Sequence, residues 1–278
     1  MQAITVADGD DAELLDIALD AARAAAQAIR AATSNRGRLV WESKGRSDFV
    51  SEVDKDAEHS IAEIVARRCP GATVLGEELS PLALSDGGIV FIADPLDGTT
   101  NFLHGYPEYA TSIGVARDGE LRAAVVLNVA RGEEFTARKG AGAWRDGERI
   151  RVSSEREPAR ALIGTGFPFK SLDLLPRYQS QFSLVTKGTA GIRRAGSAAL
   201  DLASVACGRF DAFWELVLSP WDVAGGILLV REAGGVVTDL DGNPSTFNAG
   251  AYVAGNPAMH TWLLQTVRRA DMTTGKTE

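Results

Sequence analysis

Three patterns predict a mixed α/β fold built in layers. Two amphipathic helices occupy much of the first 68 residues. Short β-like runs then follow one another from Tyr109 to Val152, and from Ala161 onward strands and helices alternate. Alternation implies sheets covered by helices, and the run of hairpins makes the fold mixed rather than doubly wound. A chain of 278 residues can bury a large core, as one domain or two intimate halves. The expected halves are 1–152, holding the meander, and 153–278, with the polar stretch Ser153 to Pro158 joining them.

Residues 11 to 33 are Ala-rich, with Leu14, Leu15, Ala18, Leu19, Ala22 and Ala26 at helical spacing. A loop containing Gly and Arg leads to Val40-Trp41. Ser51 to Arg68 is a second helix, with Val53, Ala57, Ile61, Ile64 and Val65 on one face, and Pro70-Gly71 ends it. Thr73 to Leu75 is a short strand entering Gly76-Glu-Glu78. Gly88 to Ala93 is a buried strand, which Asp94-Pro95 is expected to stop. The meander comprises Thr111 to Ala116, Leu121 to Val129, Glu134 to Ala137 and Glu148 to Val152, with turns at Asp118-Gly119, Gly132, Gly140 and Asp146-Gly147.

In the second half, Ala161 to Gly164 is a strand and Leu172 to Val185 a helix. Ile192 to Ala195 is extended, and Ser197 to Cys207 is a helix closed by Gly208. Phe210 to Glu215, Val236 to Asp239 and Tyr252 to Ala254 are strands. Trp221 to Ala233 and Pro257 to Arg269 are helices. The Asp239-Leu-Asp241-Gly242-Asn243 stretch lacks a full calcium-loop pattern and is expected to be a turn.

The formal net charge of −8 disfavours nonspecific nucleic-acid or anionic-membrane binding. No apolar run approaches the ~20 residues that cross a bilayer. The acidic opening segment lacks the pattern of a secretory signal, which leaves the cytoplasm as the expected compartment. Cys69 and Cys207 fit no metal or redox spacing and are expected to be buried thiols. His59, His104 and His260 form no zinc motif. Any chemistry should rest on carboxylates.

Glu77, Asp94 and Asp97 follow apolar strand-like runs, and Asp222 opens a helix. Strand ends and helix starts are where α/β proteins place ligands. Each acid has an ordinary alternative role: a solvated strand end, a turn former or a helix cap. If they converge, carboxylates ~4 Å apart repel by about 4 kcal/mol at an effective dielectric near 20. At neutral pH a hard divalent cation relieves that most readily. Gly98, Thr99 and Thr100 add backbone amides and hydroxyls of the kind that bind phosphate.

Gly76-Glu-Glu78, Asp94-Pro-Leu-Asp-Gly-Thr-Thr-Asn-Phe102 and Trp221-Asp222-Val-Ala-Gly-Gly, followed by Glu232-Ala-Gly-Gly235, resemble the inositol monophosphatase family. Gly164-Thr-Gly-Phe-Pro-Phe169 and Arg194-Ala-Gly-Ser-Ala-Ala-Leu-Asp201 are most similar to its bacterial members. The resemblance implies an αβαβα sandwich, a homodimer, and magnesium-dependent, lithium-sensitive hydrolysis of a small phosphate monoester. It implies two magnesium ions and a weaker third, held by Glu77, Asp94, the Leu96 carbonyl, Asp97 and Asp222. Thr99, paired with Asp54, would orient the attacking water, with Glu77 serving the same step through its metal. Gly98, Thr99 and Thr100 would hold the phosphate, and Gly196, Ser197, Ala198 and Glu215 the polyol. Lys44 matches a family lysine near the site, although its spacing to Asp48 is one residue short of the family pattern. Inositol monophosphate is the expected substrate. Histidinol phosphate, fructose 1,6-bisphosphate and 3′-phosphoadenosine 5′-phosphate are hydrolysed on the same scaffold and stay open. Arg193 and Arg194 would either bind a second anionic group or decorate a strand, the latter being preferred. A non-catalytic regulatory protein of the same fold is the remaining alternative.

Overall fold

A computed structural model describes residues 10–33, 41–45, 48–78, 87–244 and 246–274, with backbone alone for 41–45, 48–50 and 273–274. Its main framework is two mixed sheets separated and flanked by helices. The seven-stranded sheet has the order β3(Thr73–Gly76), β4(Ile89–Asp97), β5(Ala110–Arg117), β6(Glu120–Asn128), β7(Glu134–Arg138), β8(Gly142–Arg145) and β9(Glu148–Ile150). The β3–β4 pair is parallel and the rest are antiparallel. The five-stranded sheet runs β11(Gly191–Arg193), β10(Leu162–Thr165), β12(Ala212–Leu218), β14(Gly250–Gly255) and β13(Val236–Thr238). Here β10 is parallel to both its neighbours, and β14 is antiparallel to both of its own. A further antiparallel pair, β1(Trp41–Gly45) and β2(Asp48–Ser51), precedes the second helix.

Strand alternation assigns each apolar residue to a layer. On β4, Ile89, Phe91 and Ala93 face α1(Asp11–Ala32) and α2(Glu52–Arg68), while Val90 and Ile92 face the molecular centre. β6 repeats this with Ala123, Val125 and Leu127 outward and Ala124 and Val126 inward. The central cluster is completed by α5(Ala198–Ala206), α6(Pro220–Glu232) and the inner face of the second sheet, including Phe213, Tyr252 and Ala254. Trp214, Leu216 and Val253 on its outer face pack against α4(Leu175–Gly188) and α7(Pro257–Thr274). The layer order is therefore αβαβα. The α6 segment Val223–Val230 is wholly buried, as a helix in a middle layer must be. None of the described helices is long and apolar enough to cross a membrane.

α1 starts at Asp10, whose carboxylate accepts from Ala12 N at 3.1 Å, and buries Leu14, Ile17, Ala18, Ala21 and Ala25. Small alanines on this face let the helix lie close to its neighbours. α2 opens with a capping box in which Ser51 and Asp54 satisfy each other's orphan amides.

Four sequence expectations need correcting. The strand expected to stop at Ala93 continues to Asp97, with a register irregularity between Asp94 and Asp97. Pro95 is tolerated because the pairing with β3 has already ended at Gly76 and Ala93, so no ladder donor is lost on that side. The meander contains an extra strand, β8. Leu172–Leu174 forms a 3-10 turn, and α4 begins only at Leu175. Of the two free thiols, Cys69 is buried but Cys207 is half-buried.

Candidate active site

β4 delivers Asp94, Leu96 and Asp97 at its C-terminal end. β3 runs parallel beside it and ends just before Glu77. The start of α6, in the middle layer, brings Asp222 to the same place. Ligand oxygens of Glu77, Asp94 and Asp222 all lie within 4.8 Å of one another. Three convergent carboxylates are hard oxygen donors, so the cluster suits a hard divalent cation. Burial pushes Asp94 well above its ordinary value, and the charges of Glu77, Asp97 and Asp222 push it further. A cation between them would remove that penalty.

Asp97 lines the same cleft but is partly committed elsewhere. Its Oδ2 accepts from Ser197 Oγ at 2.6 Å and from Ala199 N at 2.8 Å, which ties β4 to the start of α5. Burial raises Asp97, and those hydrogen bonds oppose the shift. Asp222 also serves its own helix, accepting from Ser219 N at 2.7 Å. The capping role and the cluster role coexist in one carboxylate.

Thr99 opens the short α3(Thr99–His104), following Gly98 at φ 93°, a left-handed conformation that suits glycine. Its hydroxyl lies 2.8 Å from Asp54 Oδ1 and 3.0 Å from the Leu96 carbonyl, and can donate to one at a time. Asp54 Oδ2 accepts from Ser51 N at 2.9 Å and Ser51 Oγ at 2.6 Å, so the carboxylate cannot swing. Burial raises Asp54, against the hydrogen bonds from Ser51 and Thr99.

Two adjoining cavities form the cleft. One, of about 280 Å³, is lined by Glu77, Asp94, Leu96, Asp97, Gly98, Thr99 and Thr100. The other, of about 190 Å³, is lined by Gly196, Ser197, Ala198, Asp201, Glu215 and Asp222 among others. Phe169, Lys170 and Arg194 border both. All the expected site residues except Asp54 thus line one or other cavity, and Asp54 is tied to it through Thr99. The Ser197 hydroxyl is already engaged by Asp97. Burial and the Asp222 charge raise Glu215 well above its ordinary value, against the pull of Arg194. The Lys44 side chain lies outside the described residues. Arg193 is exposed, with Nη1 donating to the Ile192 carbonyl at 3.1 Å. Arg194 does not decorate a strand: its guanidinium lies over Phe167 and Phe169, 5.5 and 5.1 Å from their ring centres.

Four residues around the site were given no role by sequence reasoning. Asn101 Nδ2 lies 2.6 Å from the Glu108 carbonyl and 2.9 Å from the Ala195 carbonyl, joining α3 to the second half. Lys170 Nζ lies 4.0 Å from Glu77 Oε1. Asp201 is buried in the wall of the smaller cavity, and Glu58 is buried on α2. Asn101 and Asp201 stand inside conspicuous motifs and could have been found there. Glu58 carried a fainter signal, an acid one turn beyond Asp54.

The inositol monophosphatase family matches residues 10–272. A Nus factor SuhB of Pseudomonas aeruginosa is 45% identical, covering 92% of this chain and 96% of its own. An inositol-1-monophosphatase of Rhizobium meliloti is 45% identical, covering 81% of this chain and 85% of its own. The crystal structure of the extragenic suppressor protein suhB from Bartonella henselae superposes with a TM-score of 0.87 at 39% identity, over 91% of this chain and 98% of that one. With the family match spanning nearly the whole chain, this protein belongs to the inositol monophosphatase family.

Proposed function

We propose that the chain is a magnesium-dependent phosphatase that hydrolyses a small polyol phosphate, with inositol monophosphate as the foremost substrate. The observation that carries this reading is the gathering of Glu77, Asp94 and Asp222 within 4.8 Å, next to the Thr99–Asp54 pair. Glu77, Asp94, the Leu96 carbonyl, Asp97 and Asp222 hold the ions. Magnesium held there would supply a lowered pKa for the attacking water and neutralisation of charge on the leaving alkoxide.

The chain's own groups do the positioning. Asp54, locked by Ser51, accepts the Thr99 hydroxyl proton. The Thr99 oxygen then accepts from the water and aligns it in line with the phosphorus. Gly98, Thr99 and Thr100 hold the phosphoryl oxygens through backbone amides and hydroxyls. Gly196, Ser197 and Ala198 contact the polyol through their backbone, and Glu215 through its carboxyl. No phosphoenzyme is needed, since the nucleophile in this reading is water and phosphoryl transfer calls chiefly for positioning and charge neutralisation.

The test is phosphate release by purified protein from inositol 1-phosphate, histidinol phosphate, fructose 1,6-bisphosphate and 3′-phosphoadenosine 5′-phosphate, with magnesium and with chelator. Inositol 1-phosphate should give the largest kcat/KM, and chelator should abolish it. Hydrolysis of none of the four in magnesium would overturn the proposal. The name of the Pseudomonas relative favours a second reading, service as a Nus factor apart from hydrolysis. Loss of that role in a variant that keeps full phosphatase activity would separate the two.

A further inference from the structure

Glu58 is an acid on the buried face of α2, 1% exposed and flanked by buried Ala57 and Ile61. A carboxyl in that setting is costly unless it is hydrogen-bonded. Its Oε2 accepts from Glu78 N at 2.7 Å. The same carboxyl lies flat against Gly76, where an added Cβ would fall 2.2 Å from Oε1 and 2.3 Å from Cδ. Glu58 therefore touches the chain on both sides of Glu77.

The position of that grip matters. β3 is an edge strand, and its ladder with β4 ends at the pairing of Gly76 with Ala93. Glu77 and Glu78 lie beyond the last rung. One turn earlier on the same helix, Asp54 holds Thr99. α2 thus presents two acids at i and i+4, which share a helix face.

We infer that Glu58 is a positioning residue: it pins the end of β3 to α2 and so fixes the Glu77 carboxylate relative to Asp94, Asp222 and the Asp54–Thr99 pair. The inference rests on the reading of Glu77 as a metal ligand given above. Groups one shell removed from a metal ligand typically change affinity by roughly 10- to 100-fold when deleted. A residue that merely held α2 to the sheet would change stability and leave metal binding alone.

The test is magnesium binding by titration calorimetry on folded full-length protein, with circular dichroism and thermal melting as controls. E58A should weaken magnesium binding roughly 10- to 100-fold. It should also raise the magnesium concentration for half-maximal phosphate release by the same factor, with kcat at saturation little changed. E58Q, which keeps an acceptor oxygen of the same reach, should stay within about threefold of the parent. If E58A does not fold, G76A serves instead, because its Cβ must drive the Glu58 carboxyl and the strand end apart. Parent-like magnesium affinity in a folded E58A or G76A would overturn the inference and leave the reading of Glu77 intact. A parent protein that takes up no magnesium would overturn both.

Discussion

Thr99→Ala isolates the proposed proton relay. The Thr99 hydroxyl sits 2.8 Å from Asp54 Oδ1, and the other Asp54 oxygen is occupied by Ser51 through contacts of 2.9 and 2.6 Å. Asp54 cannot turn to take over, and alanine leaves it without the group it polarises. General acid–base contributions run from about 10²- to 10⁴-fold. At about 1.36 kcal/mol per decade this is about 3–5 kcal/mol of barrier. Folding should suffer less: Thr99 is half-buried, so water can partly replace the lost bond, whose worth to a charged acceptor is about 1.5–3 kcal/mol at most. The assay is initial-rate phosphate release from inositol 1-phosphate at saturating magnesium, with thermal melting alongside. kcat should fall within that range while KM moves only a few-fold, and Thr99→Ser should recover much of the loss. An effect confined to KM would make Thr99 a binding group. A serine variant no better than alanine would remove the hydroxyl from the mechanism.

Asp222→Asn should weaken magnesium binding by roughly tenfold or more, because the proposed ligand loses its charge, yet melt close to the parent. The amide oxygen can still accept from Ser219 N, so calorimetry together with melting separates the two roles. Asp201 is raised well above its ordinary value by burial and by the charges of Glu215 and Asp97. A raised folded pKa means that the native state binds the proton more tightly than the unfolded chain. The resulting cost is absent below the ordinary value of 3.8, grows as pH rises toward the folded value, and is constant above it. Asp201→Asn should therefore raise Tm at neutral pH and lose that gain near pH 4, as melting across pH would show. Gly166→Ala should displace the Glu215 carboxyl, since a Cβ there falls 2.0 Å from it. Its kcat/KM for inositol 1-phosphate should drop about tenfold (~1.4 kcal/mol), with a smaller effect on an aryl phosphate lacking hydroxyls.

Most of the fold was legible because its signals are local. The Ala-rich face of α1, the Ser51 cap and the Asp-Gly turns of the meander each sit within a few residues of what they determine. β8 escaped notice because four residues beginning at a glycine carry too little alternation. β4 was cut short because Asp-Pro is locally a stop, while its continuation depends on where a different strand ends. The acids of the cluster stood out by their motif, but their partners did not. Ser197 reaches Asp97 across a hundred positions, and Glu58 meets a backbone amide twenty positions on, neither with any local pattern. Arg194 was undervalued for the same reason, since the rings it lies over come from a separate loop.

The middle-layer placement of α6 has a consequence for how the protein comes to work. Asp222 stands at the cluster because α6 packs onto β4, β5 and β6, strands far from it in the chain. Non-local closure of this kind is a late and slow event in folding. Cation uptake should then report completion of the entire core: a refolding chain would acquire its charge-neutralising power in one step at the end, and chelation would lower the cooperative melting of the whole molecule, not loosen one corner of it.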